Sequence, residues 1–151
     1  MEYPSWFLEI VQCPEEGSPL RFVDNVFVRP DGKKYPVVDG IPCLVFPETS
    51  SGENAKWQKF YDAFAPLYDW NERLGARLLA GISLRAEQKR MISLLELKRG
   101  ARVLEVSPGP CVFQPYIRES IGSDNEFAAL DLSLGMLKQC RRRKTPDSES
   151  G

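Results

Sequence analysis

Apolar positions along this chain change their spacing twice, and the changes mark out three segments. Trp6, Phe7, Ile10 and Val11 recur at helical spacing behind Pro4, a residue suited to a first helical turn. The pattern then becomes extended. Leu20-Arg21-Phe22-Val23 and Val26-Phe27-Val28-Arg29 flank Asp24-Asn25, which predicts a tight hairpin turn. Pro30-Asp31-Gly32 supplies the next turn, and residues 35–38 and 41–46 read as extended pieces around Asp39-Gly40. These elements predict a small β-rich unit over residues 1–48, with a polar linker over 49–54.

From Ala55 to Lys98 the spacing is helical. Trp57, Phe60, Tyr61, Phe64, Leu67 and Tyr68 share one face, and Pro66 should kink or end that helix. A second helix is expected over roughly 73–97, with Leu78, Leu79, Ile82, Met91, Leu94 and Leu95 as its apolar positions. Lys98-Arg99-Gly100 has the composition of a helix stop. The remainder reads βαβα: strand 102–106, helix 112–121, strand 126–131 and helix 134–143, the last with Ser133 as its N-cap. Residues 55–144 are therefore expected to form a helical connector and an incomplete α/β sheet. The polar stretch 145–151 is expected to be a disordered tail.

Composition narrows the chemistry. A hydrophobic fraction of 42% and a charged fraction of 27% are ordinary for a globular protein. The net charge of -1 gives no electrostatic case for nucleic-acid binding, and no apolar run is long enough for a membrane span. Four cysteines without a leader-like segment point to a reducing, cytoplasmic setting. Histidine is absent, which excludes Ser-His-Asp and Cys-His hydrolases and histidine-based zinc catalysis. The run Arg141-Arg142-Arg143-Lys144 is expected to offset the dipole of the final helix, and Cys140 beside it to be an inert thiol.

Two stretches of the first segment carry a resemblance. Cys13-Pro14 and Tyr35-Pro36-Val37-Val38-Asp39-Gly40-Ile41-Pro42 look like the small zinc-ribbon family that includes methyltransferase activator subunits. In that family two CxxC pairs hold zinc. Here the matching positions are Cys13, Glu16, Val28 and Asp31, so the resemblance implies a degenerate ribbon without metal. Cys43 reads as a small buried hydrophobe.

Farther along, Val103-Leu104-Glu105-Val106-Ser107-Pro108-Gly109-Pro110-Cys111 ends a strand in a Pro/Gly turn. A second strand ends in Asp131, 22 positions beyond Gly109. Strand, turn, helix, strand and acid is a layout suited to a nucleotide-like cofactor at a sheet edge. It resembles the S-adenosylmethionine site of class I methyltransferases. The upstream stretch Phe60-Tyr61-Asp62-Ala63-Phe64-Ala65-Pro66-Leu67-Tyr68-Asp69 is similar to the helix preceding the cofactor domain in quinone-biosynthesis-type members.

That resemblance implies a Rossmann-like fold and methyl transfer to a small-molecule acceptor. It implies that Gly109 and Ser107 cradle the cofactor's methionine end, Asp131 binds the ribose, Glu105 orients the turn, and Tyr61 or Tyr68 lines the pocket. Two family glycines are replaced. Ser107 fits if its backbone avoids positive φ, whereas Cys111 puts a side chain where cofactor and helix approach closely. The chain covers only the opening strands of the family's larger sheet, so a fragment or remnant with an incomplete active site is expected. No acceptor-activating residue can be named. The alternative is a non-catalytic interaction module that docks on a partner or self-associates through its uncovered strands.

Overall fold

A computed structural model describes residues 2–45, 52–53, 55–63, 84–122 and 125–142. The chain is mixed α/β and divides into two compact units, Met1–Gln58 and Lys59–Gly151.

In the first unit, helix α1 (Ser5–Ile10) follows Pro4, whose carbonyl accepts the Phe7 N–H at 3.0 Å. Val11 then becomes extended, and a bridge between Gln12 and Pro19 closes the loop from Cys13 to Ser18. Strands β1 (Arg21–Val23), β2 (Val26–Val28), β3 (Lys34–Val38) and β4 (Ile41–Pro42) pair antiparallel in sequence order. The expected tight turn at Asp24-Asn25 forms, and a second forms at Asp39-Gly40 between the two extended pieces. Asp24 and Asn25 have φ of 51° and 62°, and Asp39 and Gly40 have 49° and 72°. Positive φ at both central positions matches the right-handed twist of the flanking strands, and Asp, Asn and Gly tolerate it best. Phe27 is fully buried, with Tyr3, Phe22 and Phe7 ring centroids 5.2, 5.1 and 6.1 Å away. Val11, Cys13, Leu20 and Tyr35 complete this core. Ile10, assigned to the apolar helix face, is exposed because the helix ends there and Val11 takes the inward position.

Helical residues 55–63, here α2, run from the first unit into the second. Trp57, Phe60 and Tyr61 are exposed, contrary to their assignment to one apolar face. Phe64, Pro66, Leu67, Tyr68, Leu78, Leu79 and Ile82 lie outside the described residues, as do most of the expected linker and the tail. Gly52 and Glu53, expected in the linker, are helical.

The second unit continues with α3 (Leu84–Ser93), β5 (Val103–Val106), α4 (Gln114–Ile121), β6 (Phe127–Leu130) and α5 (Leu134–Arg142). Helix α3 buries Gln88 and Ile92, one turn apart, and leaves Met91 exposed; Leu94 and Leu95, just beyond its end, are exposed as well, the reverse of the expected face. It also stops earlier than expected. The N–H groups of Leu95 and Glu96 bond three residues back, and Glu96 enters the left-handed region at φ 49°. Gly100, assigned as the helix stop, instead shapes the turn into β5 with φ 84° and an N–H bond to the Ile121 carbonyl at 2.9 Å.

Strands β5 and β6 pair parallel, Val103 opposite Phe127 through Val106 opposite Leu130. One face packs Val103, Phe127 and Ala129 against Ile92, Ile117, Ile121, Phe113 and Tyr116. The other face shows Leu104, Val106 and Leu130 at 61%, 64% and 53% exposure. Among the described residues, no helix is long and apolar enough to cross a membrane.

Candidate functional site

Parallel pairing brings the turn after β5 to the acid after β6. The Ser107 N–H reaches the Leu130 carbonyl at 2.7 Å, extending the ladder one residue beyond Val106. The backbone then alternates through the left-handed region, with φ of 54°, 57° and 53° at Ser107, Gly109 and Cys111. Ser107 thus takes a positive φ, so the condition on which a serine would fit this glycine position is not met. Only Gly109 does so without steric cost, and a Cβ there would meet nothing within 4 Å. Its N–H donates to Asp131 Oδ2 at 2.9 Å, while the Ser133 N–H donates to Asp131 Oδ1 at 2.8 Å. The Cys111 N–H bonds the Pro108 carbonyl at 3.1 Å, and Pro108 and Pro110 have no N–H. The turn's own donors are thus spent internally. The first turn of α4 spends its donors as well: the Gln114 N–H bonds the Cys111 carbonyl at 3.2 Å, Pro115 has no N–H, and the Tyr116 N–H bonds the Phe113 carbonyl at 3.0 Å.

Asp62 is the residue that sequence reasoning passed over. Its Oδ1 accepts from Ser133 Oγ at 2.5 Å and from the Gly135 N–H at 2.8 Å, while Ser133 Oγ accepts the Met136 N–H at 3.1 Å. Ser133 is therefore the expected N-cap, and Asp62 adds a second acceptor and a negative charge at the positive end of α5. The available signal was Gly135. A glycine in a helix costs about 1 kcal/mol relative to alanine, so it needs a reason. Here a Cβ would stand 2.9 Å from Asp62 Cα.

The remaining site residues are less well supported. Glu105 faces the partly covered side of β5, and its Oε2 is buried without a hydrogen bond among the described residues. Burial pushes its carboxyl up to about 7. This oxygen does not orient the turn as expected. Gln114 Oε1, on α4, is likewise buried without a partner. Tyr61 is exposed with its ring edge-on to Phe60 at 5.5 Å, and Tyr68 lies outside the described residues.

Cys140 is not an inert thiol. It forms a disulfide with Cys111 across a Cα–Cα distance of 4.9 Å, within the usual range for such bridges. Both residues are buried, so the Cys111 side chain points into the protein as half of a cross-link. A sequence separation of 29 gives no hint of this pairing, which depends on α5 returning beside the turn.

In the first unit, three of the four ribbon positions, Cys13, Glu16 and Asp31, lie with Glu15 around the Arg29 guanidinium. Arg29 bonds Asp31, lies 2.9 Å from Glu15 and 3.5 Å from Glu16, and approaches Cys13 Sγ at 3.9 Å. Lys33 reaches Glu15 at 3.1 Å. Asp31 holds the guanidinium protonated well above its ordinary range, and Arg29 holds the Asp31 carboxyl far below its own. Burial alone would raise the Cys13 thiol. The Tyr35 hydroxyl at 3.0 Å, the Glu15 and Glu16 backbone and Arg29 outweigh it and bring the thiol down to about 7. Val28 sits half-buried in β2, and Cys43 is half-buried rather than enclosed, with Sγ 3.7 Å from the Ile41 carbonyl. Among the described residues, no group of three or more Cys, Asp or Glu side chains is placed to hold a metal ion.

No known family model matches the chain, and no curated protein matches it.

Proposed function

We propose that the second unit is the opening part of a Rossmann-like methyltransferase sheet that binds S-adenosylmethionine and serves methyl transfer to a small-molecule acceptor. The observation that carries this reading is the 2.9 Å bond from the Gly109 N–H to Asp131, formed at the edge where two parallel strands end. Turn and acid meet at this edge, so a nucleoside lying against it would touch both. The donor set is compatible. Each Asp131 oxygen accepts one backbone N–H, and a carboxylate oxygen has two lone pairs, so one acceptor position per oxygen remains for ribose hydroxyls. Open space beside Gly109 lets a ligand approach the backbone there. When bound, the cofactor supplies an activated sulfonium methyl group, and the protein's part is positioning. Ser107 and Gly109 shape the cradle, Asp131 takes the ribose, and Glu105 beside them is neutral over much of the acidic range.

A cytoplasmic setting and the absence of nucleic-acid partners belong to the same reading. Calorimetry with S-adenosylmethionine and S-adenosylhomocysteine tests it. Saturable binding that Asp131→Ala removes is the expected result. No heat with ligand at about 1 mM, where even weak specific sites begin to fill, would overturn it.

The exposed apolar face of Leu104, Val106 and Leu130 favours a second reading, an interaction module whose sheet is completed by another copy or a partner chain. Size-exclusion chromatography separates the two. A monomer at every concentration speaks against completion by a second copy.

A further inference from the structure

The disulfide joins the two elements that hold Asp131. Gly109, which donates one hydrogen bond to that carboxylate, is two residues before Cys111. Ser133, which donates the other, caps the helix that carries Cys140. Cys111 also has φ 53°, a left-handed conformation that a side chain disfavours, and Ser107 repeats it at 54°. The turn is therefore held in a shape its own residues do not prefer, with a covalent bond at one end.

We propose that Cys111–Cys140 is a redox latch on this turn. Reduction by a dithiol frees Cys111 to leave the left-handed region, breaks the Gly109–Asp131 bond and weakens whatever the turn binds. The effect on ligand affinity rests on the cofactor reading above, whereas the opening of the turn does not.

The exchange balances as two steps. A reductant thiolate attacks the sulfur of Cys140, a residue 7% exposed where Cys111 is fully buried. The S–S bond breaks, a mixed disulfide forms on Cys140, and Cys111 departs as a thiolate. The second thiolate of the reductant then attacks its own sulfur in the mixed disulfide. A cyclic disulfide leaves, and the two cysteines take up two protons. Two electrons have passed from dithiol to protein.

The test uses the full chain purified without reductant, then titrated with dithiothreitol. Alkylation and mass spectrometry should find two free thiols at the outset, Cys13 and Cys43, and all four after reduction. Amide exchange at Gly109 should accelerate on reduction, and affinity for S-adenosylhomocysteine should fall about tenfold, an ordinary size for coupled sites. Cys140→Ser should behave like the reduced protein. The double variant Cys111→Gly with Cys140→Ser should recover slow exchange at Gly109, because glycine takes positive φ freely. Four free thiols at the outset, or equal exchange in both redox states, would overturn the latch. A double variant no better protected than Cys140→Ser would overturn its backbone component. Redox-dependent exchange with no ligand bound in either state would overturn the cofactor reading and leave the latch standing.

Discussion

Phe27 in the first unit is enclosed by three aromatic rings, whereas Leu104, Val106 and Leu130 in the second unit hold one face of a sheet open to water. The two units also tie their loops differently. In the first, Arg29 gathers Glu15, Glu16 and Asp31 from two turns, so the link is electrostatic and reversible. In the second, Cys111 and Cys140 make a covalent link, and Asp62 fastens α2 to the start of α5. The difference shows what each kind of closure leaves available. The first unit wraps Phe27 in its own aromatics and leaves Ile10 and Val23 exposed at its margin. The two-stranded parallel sheet buries one face, and Leu104, Val106 and Leu130 on the other stay open to water.

The sharpest way to break this comparison is to empty the enclosed core. Phe27→Ala should cost about 4 kcal/mol through lost burial and a cavity. A unit of this size holds only about 3 to 9 kcal/mol in total, so strands β1 to β3 should lose most of their amide protection. Exchange in β5 and β6 should be unchanged, and a parallel loss there would contradict independent cores.

A smaller effect sharpens the second unit. Burial raises the Glu105 carboxyl from 4.5 to about 7, so the folded state holds its proton more tightly than the unfolded chain. Stability from this group is complete below pH 4.5 and is lost as pH rises through 7. Glu105→Gln should therefore match the wild type at pH 4 and exceed it at pH 8. The gain should be about 1 kcal/mol, reduced because part of the side chain meets water. Denaturant melts at both pH values measure it, and a pH-independent difference would contradict the assignment.

The smallest effect lies in the charge knot. Arg29→Met removes a cation that helps lower the Cys13 thiol to about 7, so thiolate absorbance should titrate closer to the ordinary 9.0. Because this folded-state value is depressed, the Cys13 contribution in the wild type is present at alkaline pH and is lost as pH falls through 7. The variant should show less of that dependence. An unmoved thiol titration would assign the shift to Tyr35 and the backbone alone.

Much of the local architecture was legible in residue order. Asp24-Asn25 read as a tight turn because few residues adopt positive φ, and Asp39-Gly40 read as the break between two extended pieces. Strand β5, its turn, strand β6 and the Ser133 cap were also expected within a residue or two of their observed ends. Helix α3 was read on the wrong face and one turn too long, since Met91, Leu94 and Leu95 share a spacing with Ile92 and nothing local says which side meets the core.

Short-range order thus determined the strands, turns and caps, because backbone sterics and side-chain hydrogen bonds act within a few residues of their origin. Only the tertiary structure decided that Cys111 meets Cys140, that Asp62 caps a helix 71 residues away, and that Arg29 occupies the centre of an acidic ring. Those pairings depend on which elements pack together. Packing is governed by the buried area of many residues at once, which no single motif records.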